Sequence, residues 1–229
     1  MSPEVATAFE MLTDEQVVER VLLGEKALFE VLMRRYNGRI YRAVRSIVRD
    51  ESEVEDAMQQ AYVSAYLHLA QFEGRSRFST WLTRIAVHEA LGRARRRGTR
   101  REVEMPIEDD EGRGDRDRAT AALDPTPEHR AFSSELRTLL EDGIDALPVG
   151  YREVFMLREV EGLSTADAAE SLSLSEEAVK TRLHRARSLM RDHLYARTGG
   201  AAAAAFQFHA LRCDRVVAEV FKRIGRTEK

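Results

Sequence analysis

Residues 147–194 read LPVGYREVFMLREVEGLSTADAAESLSLSEEAVKTRLHRARSLMRDHL, and this stretch decides the fold. Val154, Phe155, Leu157 and Val160 recur at helical spacing up to Gly162; TADAAESL then makes a short helix, and past Ser173 and Leu174 a longer one starts at Ser175. Those lengths fit a helix-turn-helix. Ala168, Ala169, Leu172, Leu174, Val179 and Leu183 supply the small and apolar positions that let its two helices cross closely. Ser175 is a good N-cap, and Ser173 with Glu176 offers a competing capping box.

The longer helix carries Lys180, Arg182, Arg185, Arg187 and Arg191 with no acid between them, while Val179, Leu183, Ala186 and Met190 form its buried side. Side chains near the N-terminal half of such a helix reach base edges in the major groove, so Lys180, Thr181 and His184, behind Ser175, are the expected readers. Arg182, Arg185 and Arg187 are better placed to grip phosphates or buttress the helix. A basic amphipathic helix in an ordinary bundle shows the same stripe, but the cap, the turn and the close-crossing alanines together favour the DNA-binding arrangement.

Composition agrees with helices throughout. Aromatic residues are 7% of the 229, Gly and Pro number 13 and 5, and Ala, Leu, Glu and Arg are abundant. A single cysteine, Cys213, excludes an internal disulfide framework and a Cys-rich zinc site. No apolar run approaches a membrane span and no secretory signal pattern opens the chain, so a cytoplasmic protein with no membrane insertion is expected.

The net charge of −3 argues against a simple basic DNA-coating protein, but the charge is unevenly placed. Residues 1–101 hold 17 basic and 14 acidic side chains, residues 102–130 hold 4 and 10, and residues 131–229 hold 15 of each. The acidic stretch contains Pro106, Pro125 and Pro127, lacks helical periodicity and reads as a flexible linker. The expected architecture is all-α: helical domains over 10–101 and 131–196, the linker 102–130 between them, and a C-terminal extension over 197–229 with an amphipathic segment from Phe206 to Ile224.

In ESEVEDAMQQAYVSAYLHLA, residues 51–70, apolar side chains at Val54, Met58, Ala61, Tyr62, Ala65, Tyr66 and Leu69 define one buried helical stripe. Asp56, Gln59 and Gln60 gather on the opposite side, which periodicity alone reads as a solvated face. FEGRSRFSTWL, residues 72–82, sets Arg75 and Arg77 beside Phe72 and Phe78, a mixture able to stack on and clamp unpaired bases. Trp81, Leu82 and Ile85 have the spacing of a core stripe, so Trp81 is expected in the core. GRARRRGTRR, residues 92–101, holds six arginines and no acid, which suits either a solvated arm or a phosphate-binding surface.

The succession DAMQQAYVSAY, FEGRSRFSTWLTRIA, an arginine block, an acidic linker and ALPVGYREVFMLREVEGLSTADAAESLSLSEEAVKTRLHRAR resembles the extracytoplasmic-function (ECF) group of bacterial RNA polymerase sigma factors. The resemblance covers about residues 10–196 and implies the rest of this reading. The first domain is similar to sigma region 2. Its Asp56, Gln59 and Gln60 would dock on the clamp helices of the largest subunit of core RNA polymerase, which turns a face read as solvated into a polymerase contact. Phe72, Arg75, Ser76, Arg77 and Phe78 would capture a base flipped from the −10 element. Arg84, His88, Arg93, Arg95, Arg96 and Arg97 would hold the strand and its upstream duplex.

Opening DNA costs roughly 1.4 kcal/mol per step, against about 1–3 kcal/mol per captured base, so such a pocket can trap the opened strand. The second domain is similar to region 4, which places the helix from Ser175 in the major groove of the −35 element. The linker, by the same resemblance, threads toward the polymerase cleft, where its acidity suits mimicry of nucleic acid. Promoter DNA and core polymerase are the implied partners, with an anti-sigma factor as a frequent third; no cofactor or metal is expected.

The sequence departs from the family pattern at His88, often Asn, at Gly92, often Asp, and at Ser173, where the turn frequently has Gly; Ser is expected to cost little there. The N-terminus is too short for the autoinhibitory first region of housekeeping sigma factors, as expected of the ECF group. The competing class is a stand-alone helix-turn-helix regulator, which leaves the 56/59/60 face and the aromatic-basic loop without a role. Catalysis is not expected: His88-Glu89 does not extend to HExxH because position 92 is Gly, and there is no Gly-rich phosphate loop. Cys213 beside His209 reads as a small buried hydrophobe in a helix packed on region 4, or as a redox or metal handle in a regulatory element.

Overall fold

The computed structural model describes residues 11–98 and 127–205, and these are helical without strands. The first half holds α1 (Asp14–Leu22), a 3-10 turn (Lys26–Leu28), α2 (Phe29–Arg45), α3 (Glu51–Leu67), a second 3-10 turn (Leu69–Gln71) and α4 (Phe78–Arg96). The second holds α5 (Pro127–Ala146), α6 (Val149–Phe155) running into a π-helical segment (Met156–Val160), α7 (Thr165–Leu172) and α8 (Glu176–Ala205). The expected linker and the Phe206–Ile224 segment with Cys213 lie mostly or wholly outside the described residues; α5 begins four residues inside that expected linker.

Helix starts follow local chemistry. Thr13 caps α1 in a reciprocal capping box with Gln16, and Asp50 caps α3 by accepting from the Glu53 amide. Asp14, one residue past the cap, accepts from Arg35 at 2.9 Å and from the Tyr36 hydroxyl, which fastens α1 to α2. That contact and burial together raise the pKa of the Tyr36 hydroxyl, burial being the larger cause.

The α3 stripe is buried as its spacing requires: Val54, Ala61 and Ala65 have no exposure, and Tyr62 donates to Asn37 Oδ1 at 2.9 Å. Small alanines at 57, 61, 65, 86 and 90, all fully buried, let α3 and α4 approach closely. Phe72, Phe78 and Trp81 form an aromatic cluster with centroids 5.3–5.6 Å apart. Trp81 is half-buried and packs against the core, and Phe78 is 1% exposed.

The helix-turn-helix is present, with Val179, Leu183, Ala186 and Met190 buried on α8. Ser175 caps α8, its hydroxyl accepting from the Ala178 amide at 3.1 Å. Ser173 does not compete for that role. It ends α7 in the left-handed region at φ 56°, where a side chain strains against the backbone and glycine does not.

The two halves do not stand apart as a flexible linker suggests. One apolar cluster runs from Val17 and Leu32 through Phe78 and Leu82 to Leu157, Ala168, Leu172 and Val179. Across this seam lies a row of arginines from α2 and the turn after it. Arg39 donates to the Glu161 carbonyl, and Arg42 Nε to Glu161 Oε1 at 2.6 Å. Arg45 grips Asp145 with both nitrogens at 3.0 and 2.9 Å, and Arg49 reaches the Asp145 carbonyl. The π segment sets up one of these contacts. Its wider winding, closed by the Glu161 amide on the Met156 carbonyl at 2.9 Å, precedes Gly162 at φ +66°, and the Glu161 side chain is left 3% exposed under Arg39 and Arg42.

Candidate polymerase and nucleic-acid interfaces

Asp56, Gln59 and Gln60 are exposed together on α3, because Val54, Ala57 and Ala61 commit the other side to the core. Beside Gln59 an apolar groove of about 600 Å³ opens between α2 and α3, lined by Met33, Met58, Tyr62, Val63 and Tyr66. Val63 and Leu67 at its edge are 51% and 71% exposed. A surface with this much apolar area beside amides and one acid is suited to holding a protein partner.

The loop 73–77 is shaped by Gly74 at φ +71°, a conformation that side chains rarely adopt, and is anchored by the ring cluster below it. Arg75 and Arg77 are exposed, Ser76 is partly covered, and Phe72 is half-buried. Phe78 corrects the sequence expectation: its ring is a core group and presents no free face to a base, because it fills the space between Tyr36, Phe72 and Trp81.

On α4, His88, Arg95, Arg96 and Arg97 are exposed. Arg93 lies against α3, with Nη1 3.4 Å from Glu53 Oε2 and 3.5 Å from Asp56 Oδ2, and Arg97 also pairs with Glu53. Arg84, expected on an open DNA face, is turned into the seam: it pairs with Glu170 and sits 3.7 Å from Asp167, both on α7. The α4 face that would meet a strand is therefore covered in part by the first helix of the helix-turn-helix.

On α8, Lys180, Thr181, His184 and Arg185 are exposed, and Arg182 and Arg187 are half-buried. Lys180 pairs with Glu177 at 2.8 Å, an exposed contact that raises its pKa, and Arg187 pairs with Glu159 at 2.7 Å. One helix thus presents a row of donors over two turns, with Lys180 and Arg187 each paired with an acid. Among the described residues no cluster of three or more His, Cys, Asp or Glu is placed to hold a metal, and no helix is long and apolar enough to cross a membrane.

Residues 32–100 match the family Sigma-70 region 2, and residues 137–190 match Sigma-70, region 4. The ECF RNA polymerase sigma-E factor of Haemophilus influenzae is 34% identical over 185 residues, 81% of this chain and 97% of that protein. The chain belongs to the ECF sigma factors. Sigma factors of this group bind core RNA polymerase and direct promoter-specific transcription initiation, so the helix-turn-helix serves a polymerase subunit; nothing supports a stand-alone regulator. The structure of CnrH in complex with the cytosolic domain of CnrY is similar at 25% identity and TM-score 0.50, over 79% of this chain and 96% of that one. The sigma factor RpoE of Bartonella quintana, solved with the anti-sigma factor NepR, shares the fold at 23% identity and TM-score 0.52, over 72% of this chain and 96% of that one.

The sequence reading of this sigma factor missed the α2 arginines. Arg39, Arg42 and Arg45 recur at intervals of three, a helical stripe, but such a stripe reads as solvated until the second half supplies Asp145 and Glu161.

Proposed function

We propose that this sigma factor works through three surfaces. The exposed α3 face of Asp56, Gln59 and Gln60, with the apolar groove beside Gln59, docks on the clamp helices of the largest polymerase subunit. Phe72, Arg75, Ser76 and Arg77, followed by His88, Arg95, Arg96 and Arg97 on α4, engage the −10 element once it opens, and Arg84 and Arg93 join them when their present acidic partners release them. The N-terminal half of α8 reads the −35 element through Lys180, Thr181 and His184, with Arg182, Arg185 and Arg187 on phosphates. Regions 10–101 and 131–196 are the two working domains, and 102–130 connects them. The protein acts in the cytoplasm and performs no covalent chemistry. An anti-sigma factor is the further partner this reading includes.

The observation that carries the reading is the exposure of Asp56, Gln59 and Gln60 as one patch beside an unfilled apolar groove. The two promoter elements lie on one duplex, so the compact form seen here must open for both to be read together. Pull-down of core polymerase at low salt tests the docking surface: the intact chain should retain polymerase, and Asp56→Ala with Gln59→Ala should lower retention at least tenfold. Undiminished retention by that variant would remove the assignment.

A further inference from the structure

Arg84, assigned above to the −10 face, is taken up by α7, the first helix of the helix-turn-helix. Its Nη1 donates to Glu170 Oε1, and its Nη2 lies 3.7 Å from Asp167 Oδ1. Asp167 and Glu170 stand three residues apart, so their carboxylates share one face of α7. Asp167 is oriented by the start of its own helix. Its Oδ2 accepts from the Ser164 hydroxyl at 2.6 Å, and that hydroxyl, capping α7, accepts from the Asp167 amide at 3.0 Å, which leaves Oδ1 to Arg84. Phe78 and Leu82 of α4 share one buried cluster with Ala168 and Leu172 of α7, so the helices pack directly and that packing holds the acids at Arg84. Where Asp145, Glu161, Asp167 and Glu170 meet arginines across the seam, the arginine comes from the first half and the carboxylate from the second. The second half therefore meets the first as an anionic surface, as a nucleic-acid backbone would.

We propose that this contact is autoinhibitory: Asp167 and Glu170 occupy Arg84 in place of the backbone of the −10 strand, and so hold the closed chain back from unpaired promoter DNA. This rests on the −10 role of Arg84 and adds what controls it. One guanidinium cannot give the same donors to a carboxylate and to a phosphate, so closure and strand binding compete. A strand that binds only the open form is held more weakly in proportion to the fraction of chains that are closed. Removing the two carboxylates weakens closure and frees Arg84 in one step. Core polymerase relieves the inhibition when it carries the two regions to separate promoter elements, because that parts α7 from α4.

The test compares the intact chain with Asp167→Asn/Glu170→Gln, using random-sequence single strands about 12 nucleotides long as the probe, with and without core polymerase. Without polymerase the double variant should bind the strands about threefold tighter than wild type, the scale set by two partly exposed ion pairs. Adding Arg84→Ala should abolish that gain. Glu135→Gln/Glu141→Gln, which removes two exposed acids from α5 and changes the net charge equally, should bind as wild type does. With polymerase, and read against core polymerase alone, wild type and double variant should bind equally. Glu170→Gln alone, at an exposed position, repeats the comparison if the double variant unfolds, and should show a smaller gain of the same sign. An equal gain in the α5 variant, or a gain that survives Arg84→Ala, would assign the effect to net charge and overturn the proposal. Equal binding by wild type and double variant without polymerase, while the polymerase-bound chain holds the strands, overturns it and leaves the −10 reading standing. Failure of the polymerase-bound wild type to hold the strands removes the −10 reading, and the proposal with it.

Discussion

Arg42 holds Glu161 with two nitrogens, Nε 2.6 Å from Oε1 and Nη2 3.3 Å from Oε2, joining residues 119 positions apart. With Arg39 on the same carboxylate, this pair closes region 2 onto region 4. Glu161→Gln keeps the shape and removes the charge. Charge-assisted hydrogen bonds contribute about 1.5–3 kcal/mol each, less where one partner is half-exposed as Arg42 is, so the expected loss is about 1–2 kcal/mol in urea unfolding, with a larger hydrodynamic radius. An unchanged radius and midpoint would show that the pair does not hold the halves together.

The same seam should loosen in acid. Hydrogen bonds from Arg45 hold the Asp145 carboxyl below its ordinary pKa. Its folded value therefore lies under its unfolded value, near 3.9, and its contribution is fully present above that unfolded value and is lost as pH falls through the folded one. Asp145→Asn never has this contribution. Wild type should exceed the variant in stability at neutral pH, and the two curves should converge below about pH 4; a gap that persisted in acid would contradict the assignment.

Ser173 turns the chain between α7 and α8 in a conformation that suits glycine. Ser173→Gly relieves a strain of order 1 kcal/mol, offset in part by the freer unfolded chain. The expected gain is about 0.5 kcal/mol in thermal or urea unfolding, with −35 binding unchanged. A loss of stability would mean that the serine hydroxyl contributes more than the backbone strain costs.

The α8 stripe and the α3 stripe were legible because each is set by one periodicity and one core. Val179, Leu183 and Met190 could be buried in only one way, and that fixed which face Lys180 and His184 present. The Ser175 cap was legible for the same reason, since it depends on neighbours three residues away. Phe78 was misplaced because an aromatic beside arginines reads equally as a stacking platform or a core ring, and only Tyr36, from a distant helix, decides it. Arg84, Glu170, Asp145 and Glu161 were illegible for a related reason. Each is an ordinary surface charge in its own segment and gains meaning only when the halves meet. The π segment that precedes Glu161 left no sequence signal that periodicity could separate from a continuous helix.

Duplex binding separates the α8 contacts. Arg185 is exposed and is proposed to hold a phosphate, so Arg185→Ala should weaken binding to all sequences alike, lowering the slope of log K against log salt by about one. His184→Ala or Lys180→Ala should instead cost about 1–3 kcal/mol on the preferred −35 sequence and relax the preference at one position. Equal losses on specific and non-specific duplexes for all three variants would place none of them at a base edge.

Run-off transcription by core polymerase on a random promoter library, with and without the intact chain, reads promoter selection itself. Transcripts should appear only with the chain and start downstream of two enriched elements, the −10 preference altered by loop variants such as Arg77→Ala and the −35 preference by His184→Ala. Transcripts with no enriched elements, or none beyond those of core polymerase alone while the chain remains folded, would contradict it.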